Sequence, residues 1–134
     1  MKVVKISWRD TIPIRHKVLW PDKEPDFCKV EGDEKAIHYG MFVDENLVGV
    51  ASIYIDLYQA RLRKFAILEE FQNRGLGGKV LMHILDDLSK FQINYFWFDA
   101  RESAISFYRK FGFQVEGNRF LKNKVAYFKM GKLL

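Results

Sequence analysis

One stretch of the sequence decides the fold: residues 65–78, which read FAILEEFQNRGLGG. An apolar run typical of a strand ends in a turn that carries Gly75, Gly77 and Gly78, and an amphipathic segment follows. Such a turn directs several backbone N–H groups at one point, and the first turn of a helix adds its unsatisfied donors and its positive dipole end. A diphosphate is the natural ligand for these donors. The alternative is that the glycines only permit a sharp connection between strand and helix.

Two better known phosphate-binding loops do not fit this stretch. The pattern Gly-x-x-x-x-Gly-Lys-Ser/Thr is missing because Lys79 lacks the upstream glycine and is followed by Val80. The pattern Gly-x-Gly-x-x-Gly is missing because the order Leu76-Gly77-Gly78 breaks its spacing. The sequence therefore disfavours a nucleoside triphosphate or a nicotinamide dinucleotide as the ligand.

The hydropathy pattern on both sides of the stretch predicts an α/β (α+β) fold with a mixed sheet. Alternating apolar runs predict strands, and apolar residues spaced three or four apart predict amphipathic helices. Asp10 or Thr11 is expected to cap the first helix, which ends at Trp20-Pro21. The last two strands are expected to form a hairpin around Gly117-Asn118. We expect strands over 3–7, 36–43, 47–57, 60–68, 93–98, 113–116 and 124–130, and helices over 10–19, 79–91 and 102–111, in the order β-α-β-β-β-α-β-α-β-β.

Length and composition bound the kind of protein. A chain of 134 residues that is 49% hydrophobic predicts one domain, residues 1–134, with a substantial core. The net charge of +5 leaves open a solvated surface, a phosphate-bearing ligand or a nucleic acid. The longest basic cluster, Arg61-Leu62-Arg63-Lys64, is short and interrupted, and the other cations are scattered, which disfavours nucleic acid.

Cysteine usage and hydropathy predict a cytoplasmic protein. Cys28 is the single cysteine, which excludes an internal disulfide and a cysteine-rich metal site. No apolar run approaches the roughly 18 residues of a membrane span, and the first residues lack the pattern of a signal peptide. We therefore expect no membrane association and no metal.

The glycine-rich turn resembles the signature of the GNAT superfamily, the acyl-CoA-dependent N-acyltransferases, which is written Gln/Arg-x-x-Gly-x-Gly/Ala. The segment Gln72-Asn73-Arg74-Gly75-Leu76-Gly77 matches every fixed position. After one further helix and strand, the segment from Phe107 to Phe113 is similar to the family's Phe/Leu-Tyr-x-x-x-Gly-Phe. The order of elements matches along nearly the whole chain, and residues 15–21 look like the first helix and its exit in compact bacterial members.

The resemblance implies acetyl-CoA as co-substrate and a mostly antiparallel central sheet whose two central strands splay apart. The pantetheine arm is expected to pair with the backbone of the strand before the turn, and the pyrophosphate to lie on the amides of the turn. Two residues of the later helical segment are expected to line the pantetheine and adenine side. The residues implied are Phe65, Ala66, Ile67, Gln72, Asn73, Arg74, Gly75, Leu76, Gly77, Gly78, Ser103 and Phe107.

The same resemblance implies an N-acetyltransferase in which a primary amine attacks the thioester directly, with Tyr108 as the general acid for the leaving thiolate. A tyrosine has an ordinary pKa of about 10 and suits that role. A backbone N–H at the end of the strand over 65–67 is expected to polarise the carbonyl. Cys28 lies far from both motifs in the sequence and is expected to be incidental, so no acyl-enzyme is predicted. Glu69, Asp99 and His38 are the candidates for a general base, and none stands out.

Two positions depart from the family pattern. Arg101 stands where many members carry an asparagine, and Tyr127 stands where the last strand often carries a histidine. The acceptor, a small-molecule or protein amine, is expected to be selected by residues 12–35 and 117–124, and the surrounding cations favour an uncharged or acidic acceptor over a polyamine. The aromatic end hairpin would suit a homodimer. The alternative function is a non-catalytic acyl-CoA-binding sensor or regulatory module, to which Tyr108 would be unnecessary.

Overall fold

A computed structural model describes all residues, Met1–Leu134. Its strands form one sheet of seven in the order β1-β2-β3-β4-β5-β7-β6, and the predicted order of strands and helices is confirmed. None of the helices combines the length and the apolar character that crossing a bilayer needs. The strands are β1 (Lys2–Ile6), β2 (Ile37–Val43), β3 (Asn46–Asp56), β4 (Gln59–Ile67), β5 (Tyr95–Arg101), β6 (Gln114–Lys122) and β7 (Val125–Leu133), and the helices are α1 (Trp8–Leu19), α2 (Leu76–Leu88) and α3 (Ile105–Arg109).

The mixed, mostly antiparallel sheet agrees with the predicted fold class. β1 pairs antiparallel with β2, β2 with β3, and β7 with both β5 and β6. β4 and β5 are parallel, and the pairs Gln59–Tyr95, Ala60–Phe96 and Arg61–Trp97 lie at the start of both strands. Two strands that splay apart have to be paired at one end, and these three pairs form such an end. The divergence of β4 and β5 beyond it stays a prediction.

The chain divides into two compact units, and its assignment to one domain stays a prediction. The first unit comprises 1–54 and 62–91, and the second comprises 55–61 and 92–134. In the first unit Ile14 of α1 packs with Val50 and Ala66 of the sheet. In the second unit the core is aromatic, since Phe113 packs edge-on against Phe96 and Phe98 with ring centroids 5.4 Å and 4.9 Å away.

Helix α1 begins earlier than expected, and the predicted cap at Asp10 or Thr11 was wrong. Ser7 is the N-cap: its hydroxyl accepts from the N–H of Arg9 at 3.1 Å, and the Asp10 carboxylate accepts from the N–H of Ser7 at 3.3 Å. This reciprocal capping box satisfies two donors that would otherwise lack partners, which is why Asp10 lies inside the helix. The predicted end at Trp20 is confirmed.

The closing hairpin turns at Asn123-Lys124, so the predicted turn at Gly117-Asn118 was wrong. Asn123 and Lys124 have φ of 49° and 67°, the two positive values that a tight two-residue hairpin turn needs. Gly117, with φ of 81°, lies within β6 where the register with β7 shifts between Glu116 and Phe120. The glycine therefore marks a bulge, which uses the same left-handed backbone as a turn.

The later helical segments also differ in extent. The predicted helix over 102–111 is shorter, since a 3₁₀ turn, Glu102–Ala104, precedes α3. Gly112 follows with φ of 89°, as expected of a residue that stops a helix. Strand β5 lies further along the chain than the predicted range 93–98.

A buried polar network fixes the segment between α1 and β2. The Arg15 guanidinium, fully buried, donates to both oxygens of Asp33 at 2.7 Å and 3.0 Å and to the Cys28 carbonyl at 3.0 Å. It also reaches Ser52 Oγ at 2.9 Å, and His38 Nδ1 lies 2.7 Å from that same hydroxyl. Removing one partner of a buried ion pair costs about 3–5 kcal/mol because the other charge is left uncompensated. This network ties the loop after α1 to strands β2 and β3.

The network predicts that acid destabilises the protein in two steps. Burial lowers the pKa of His38, and the hydrogen bond to the Asp33 carbonyl opposes this only in part. The unfolded chain therefore takes up a proton first, and the free energy of unfolding should fall as pH drops below about 6.5. Burial alone would raise the pKa of Asp33, but hydrogen bonds from Arg15, Tyr54 and the Val30 amide outweigh it and lower that pKa. Its contribution is present above about pH 4 and is lost below.

Urea unfolding at about pH 7.5 and about pH 5.5 measures the first step. His38→Gln, which cannot titrate, should lose less stability between these two pH values than the wild type. Equal losses in the two proteins would show that His38 is not the group responsible.

Candidate active site

The turn between β4 and α2 is held by main-chain bonds and by one side chain. The N–H of Leu68 donates to the Val48 carbonyl of β3 at 2.8 Å, and the N–H of Phe71 donates to the Leu68 carbonyl at 2.9 Å. The side-chain amide of Gln72 donates to the Ile67 carbonyl at 2.9 Å. Gln72 thus closes the turn back onto the end of β4, which gives this motif residue a positioning role.

The amides that follow Gln72 open a helix that has no side-chain cap. Asn73 has φ of 61° and Gly75, the N-cap of α2, has φ of 78°. The first helical bond joins the N–H of Lys79 to the Gly75 carbonyl at 3.3 Å, so the amides of residues 76–78 have no acceptor within the helix. The first turn contains no acidic residue. These donors, with the positive end of the helix dipole, form a site for an anion.

The predicted helix start at Lys79 was wrong, because it placed the glycine cluster in a loop before the helix. Helix α2 begins at Leu76, so Gly77 and Gly78 lie in its first turn. Of the three glycines, Gly75 is the one with a left-handed backbone, and a Cβ there would meet nothing within 4 Å. Its glycine is therefore needed for the backbone conformation and for access to the amides rather than for packing.

The main-chain N–H of Gln72 is already used, since it donates to the Glu69 carbonyl at 3.2 Å. The donors left for a ligand therefore start at Asn73. Arg74 is exposed, and its guanidinium lies 5.1 Å from the centre of the Phe71 ring. This contact keeps a positive charge beside the turn. On β4, Ala66 is buried, while Phe65 and Ile67 are half-buried.

Tyr108 lies on α3 of the second unit, packed among aromatic rings. Its ring centroid is 4.4 Å from that of Phe98 and 5.1 Å from that of Phe107. Burial raises the pKa of Tyr108 to about 12. The phenol therefore stays neutral, and able to donate, throughout the neutral and mildly alkaline range. Ser103, in the 3₁₀ turn before α3, is exposed.

The candidates for a general base have different surroundings. His38 is 3% exposed and is held by Ser52 and by the Asp33 carbonyl at 2.8 Å, so it belongs to the buried network. Asp99 pairs with Arg61 at 3.1 Å and lies 3.7 Å from Lys122. Glu69 is exposed in a 3₁₀ turn. The fold therefore gives two of the three a fixed protein partner.

The remaining positions singled out from the sequence have surroundings of their own. Cys28 is buried, and burial raises the pKa of its thiol, which makes it a poor nucleophile. Arg101 is exposed at the end of β5. Tyr127 stacks on Phe120 with ring centroids 5.9 Å apart, and Lys122 lies over its ring at 4.9 Å.

Sequence reasoning missed the buried network of Arg15, Asp33, Ser52 and Tyr54. No local pattern marks these residues, because their partners are separated by up to 39 positions in the chain. The signal that was present is Arg15 itself, a charge flanked by the apolar positions Ile14 and Val18 of an amphipathic helix. A charge on such a face needs a buried partner.

Comparison with known proteins identifies the family. A family model described as an acetyltransferase (GNAT) domain matches residues 25–134. The uncharacterized N-acetyltransferase YitI of Bacillus subtilis is 30% identical over 129 aligned positions, and the match covers 90% of this chain and 87% of that protein. The ribosomal protein bS18 alanine N-acetyltransferase of Salmonella typhimurium is 30% identical over 101 aligned positions, and the match covers 73% of this chain and 66% of that protein.

The fold also has counterparts among solved structures. The crystal structure of a GNAT family acetyltransferase from Elizabethkingia anophelis with acetyl-CoA bound superposes with a TM-score of 0.77 over 99% of this chain and 97% of that one, at 16% identity. The fold and motifs define an acyl-CoA-dependent acyltransferase. The chain belongs to the GNAT acetyltransferase family, and the predicted membership and enzyme class are confirmed.

The turn geometry predicts a selective effect of one glycine. Gly75→Ala should raise the dissociation constant for CoA about tenfold, because a Cβ disfavours the left-handed backbone by about 1–2 kcal/mol and stands beside the amides. Gly117→Ala is the matched control, since Gly117 has φ of 81° and open space around it. Isothermal calorimetry measures both variants. Equal weakening by the two substitutions would contradict a role for Gly75 at the ligand.

Proposed function

We propose that this protein transfers the acetyl group of acetyl-CoA to a primary amine by direct attack in a ternary complex. The observation that carries the proposal is the uncapped start of α2, where the motif Gln72–Gly77 leaves the amides of residues 76–78 without helical acceptors. Membership in the GNAT family supports an acyl-CoA as the donor, and a family neighbour that holds acetyl-CoA supports this choice of acyl group.

In the proposal, the diphosphate of acetyl-CoA lies on the amides of residues 73–78. The N–H groups there are fixed before the ligand arrives, because Gln72 holds the turn against Ile67 and Leu68 is bonded to β3. A preformed donor set binds an anion without an ordering cost. The pantetheine arm is assigned to the backbone of Phe65, Ala66 and Ile67, and Ser103 and Phe107 to the flank of the same molecule.

The chemical step needs a neutral amine and a place for the negative charge on sulfur. The amine nitrogen forms the new C–N bond, the C–S bond breaks, and the amine loses a proton as the CoA thiolate gains one. Tyr108 donates a hydrogen bond to the developing thiolate. Since its pKa of about 12 lies above the roughly 8.5 of an ordinary thiol, Tyr108 keeps its own proton. It stabilises the leaving sulfur through the hydrogen bond, and water supplies the proton that the thiolate gains. Alignment of amine and thioester supplies most of the remaining rate.

The proposal sends the amine's proton to solvent water. Among the three base candidates, His38 and Asp99 are engaged with fixed protein partners, and Glu69 is exposed. The amine's proton can pass to an exposed carboxylate such as Glu69 and from there to bulk water, so no buried base is needed. The rate should therefore follow the fraction of acceptor present as free amine.

Substitution of Tyr108 tests the enzymatic role. Tyr108→Phe should lower kcat about 100-fold, the low end for the loss of one hydrogen-bond donor to a developing anion because a thiolate leaves readily, and should leave the affinity for acetyl-CoA unchanged. Thiol release in the presence of an amine panel gives kcat, and calorimetry gives the affinity. Tyr58→Phe, at an exposed tyrosine of the β3–β4 hairpin, is the control.

Two outcomes of this experiment would contradict the proposal. Wild-type protein that binds acetyl-CoA but releases thiol with none of the amines would favour a binding module. Amine-dependent thiol release that Tyr108→Phe leaves intact would remove Tyr108 from the mechanism while the transferase function stands.

A further inference from the structure

Two cations of strand β4 have no task in the proposed function. Arg63 and Lys64 belong to the basic cluster at 61–64, and both are half-buried. They directly precede Phe65–Ile67, the backbone that the proposed function gives to the pantetheine arm. Adjacent residues of a strand are about 3.3 Å apart along the backbone, so Lys64 adjoins that segment and Arg63 lies one residue further away.

Arg63 lies over an aromatic ring and has no acceptor for its guanidinium within the chain. Its guanidinium carbon lies 5.4 Å from the centre of the Tyr54 ring, and this ring contact is what the structure gives it. The Tyr54 hydroxyl donates to Asp33 Oδ1 at 2.5 Å and accepts from Arg15 at 3.3 Å. The buried network therefore fixes the ring over which the guanidinium lies. No carboxylate of the chain pairs with its N–H fork.

Lys64 contributes a second observation at the same place. Its φ is 54°, a value that a bulky residue inside a strand rarely adopts and that tends to persist at functional sites. Lys64 Nζ lies 4.8 Å from the centre of the Trp20 ring, and Trp20 packs edge-on against Phe27 with centroids 5.3 Å apart. A residue with a strained backbone thus has its ammonium over an aromatic ring at the end of α1.

We propose that Arg63, with Lys64 beside it, binds a carboxylate carried by the acceptor, so that the substrate is a small amine bearing a carboxylate group. This inference rests on the proposed function. A guanidinium with a free fork matches a carboxylate through two parallel hydrogen bonds. The loop after α1 also carries exposed acidic residues, Asp22, Glu24 and Asp26, which would favour a cationic acceptor instead. A polyamine is therefore the competing acceptor in the test.

The first experiment compares amines in matched pairs. Glycine, glutamate and tryptophan are each tested against the derivative whose α-carboxylate is a carboxamide, and spermidine is added as the polyamine. Free amino acids have the more basic amine, so without recognition they react more slowly at neutral pH. We expect kcat/KM at least about tenfold higher for the carboxylate member of one or more pairs, as expected for a charge-assisted hydrogen bond.

The second experiment uses variants of the cation. Arg63→Gln should raise KM for the carboxylate amine at least about tenfold, with kcat and the affinity for acetyl-CoA unchanged. Arg63→Lys should recover only part of that loss, because an ammonium lacks the planar fork. Arg9→Gln is the matched control, since Arg9 also lies over a ring, that of Trp8 at 4.7 Å.

The outcomes separate this inference from the proposed function. Failure to bind acetyl-CoA would refute the proposed function itself. With acetyl-CoA bound, the inference is overturned by equal use of both members of every pair, by no transfer to any carboxylate amine, by a preference for spermidine, or by the same KM in wild type and Arg63→Gln. Selective loss of the carboxylate preference in Arg63→Gln would support it.

Discussion

The left-handed backbone at the start of α2 is the constraint on which the rest of the site depends. A helix that begins without a capping side chain leaves donors unsatisfied, and a ligand or water has to satisfy them. Gly75 supplies the required φ of 78° at little cost, and Gln72 closes the turn by binding the Ile67 carbonyl. The motif therefore acts as a unit: its glutamine closes the turn, its first glycine bends the chain, and the amides after it are left without helical acceptors.

A second device acts on the side of the first unit where α1 meets the sheet. Arg15 and Asp33 are both buried, and such a pair contributes little net stability compared with apolar packing. Its value lies in position, because it connects the loop after α1, strand β3 and the Tyr54 ring with fixed geometry. Arg63 lies over that ring. The buried pair of Arg15 and Asp33 thus positions the ring over which the Arg63 guanidinium lies.

The sequence predicts the parts whose cause is local. The turn at residues 72–78 and the order of strands and helices along the chain follow from glycine, hydropathy and motif spacing. The turn of the end hairpin was predicted at the wrong place. Gly117 indicates a positive φ, but it does not indicate whether a bulge or a turn uses that φ, and the real turn at Asn123-Lys124 contains no glycine. The start of α1 was missed because Ser7 and Asp10 act as a pair. The Arg15 network could not be predicted, since its contacts join distant segments.

The most direct test observes the amides of the turn while the ligand binds. In a ¹⁵N-labelled protein titrated with CoA, the account predicts that the amide signals of residues 73–78 shift most, and that pantetheine, which has the same arm without the diphosphate, leaves them in place. Saturable binding of CoA with these signals unmoved, or equal shifts with pantetheine, would contradict the claim that the start of α2 holds the diphosphate.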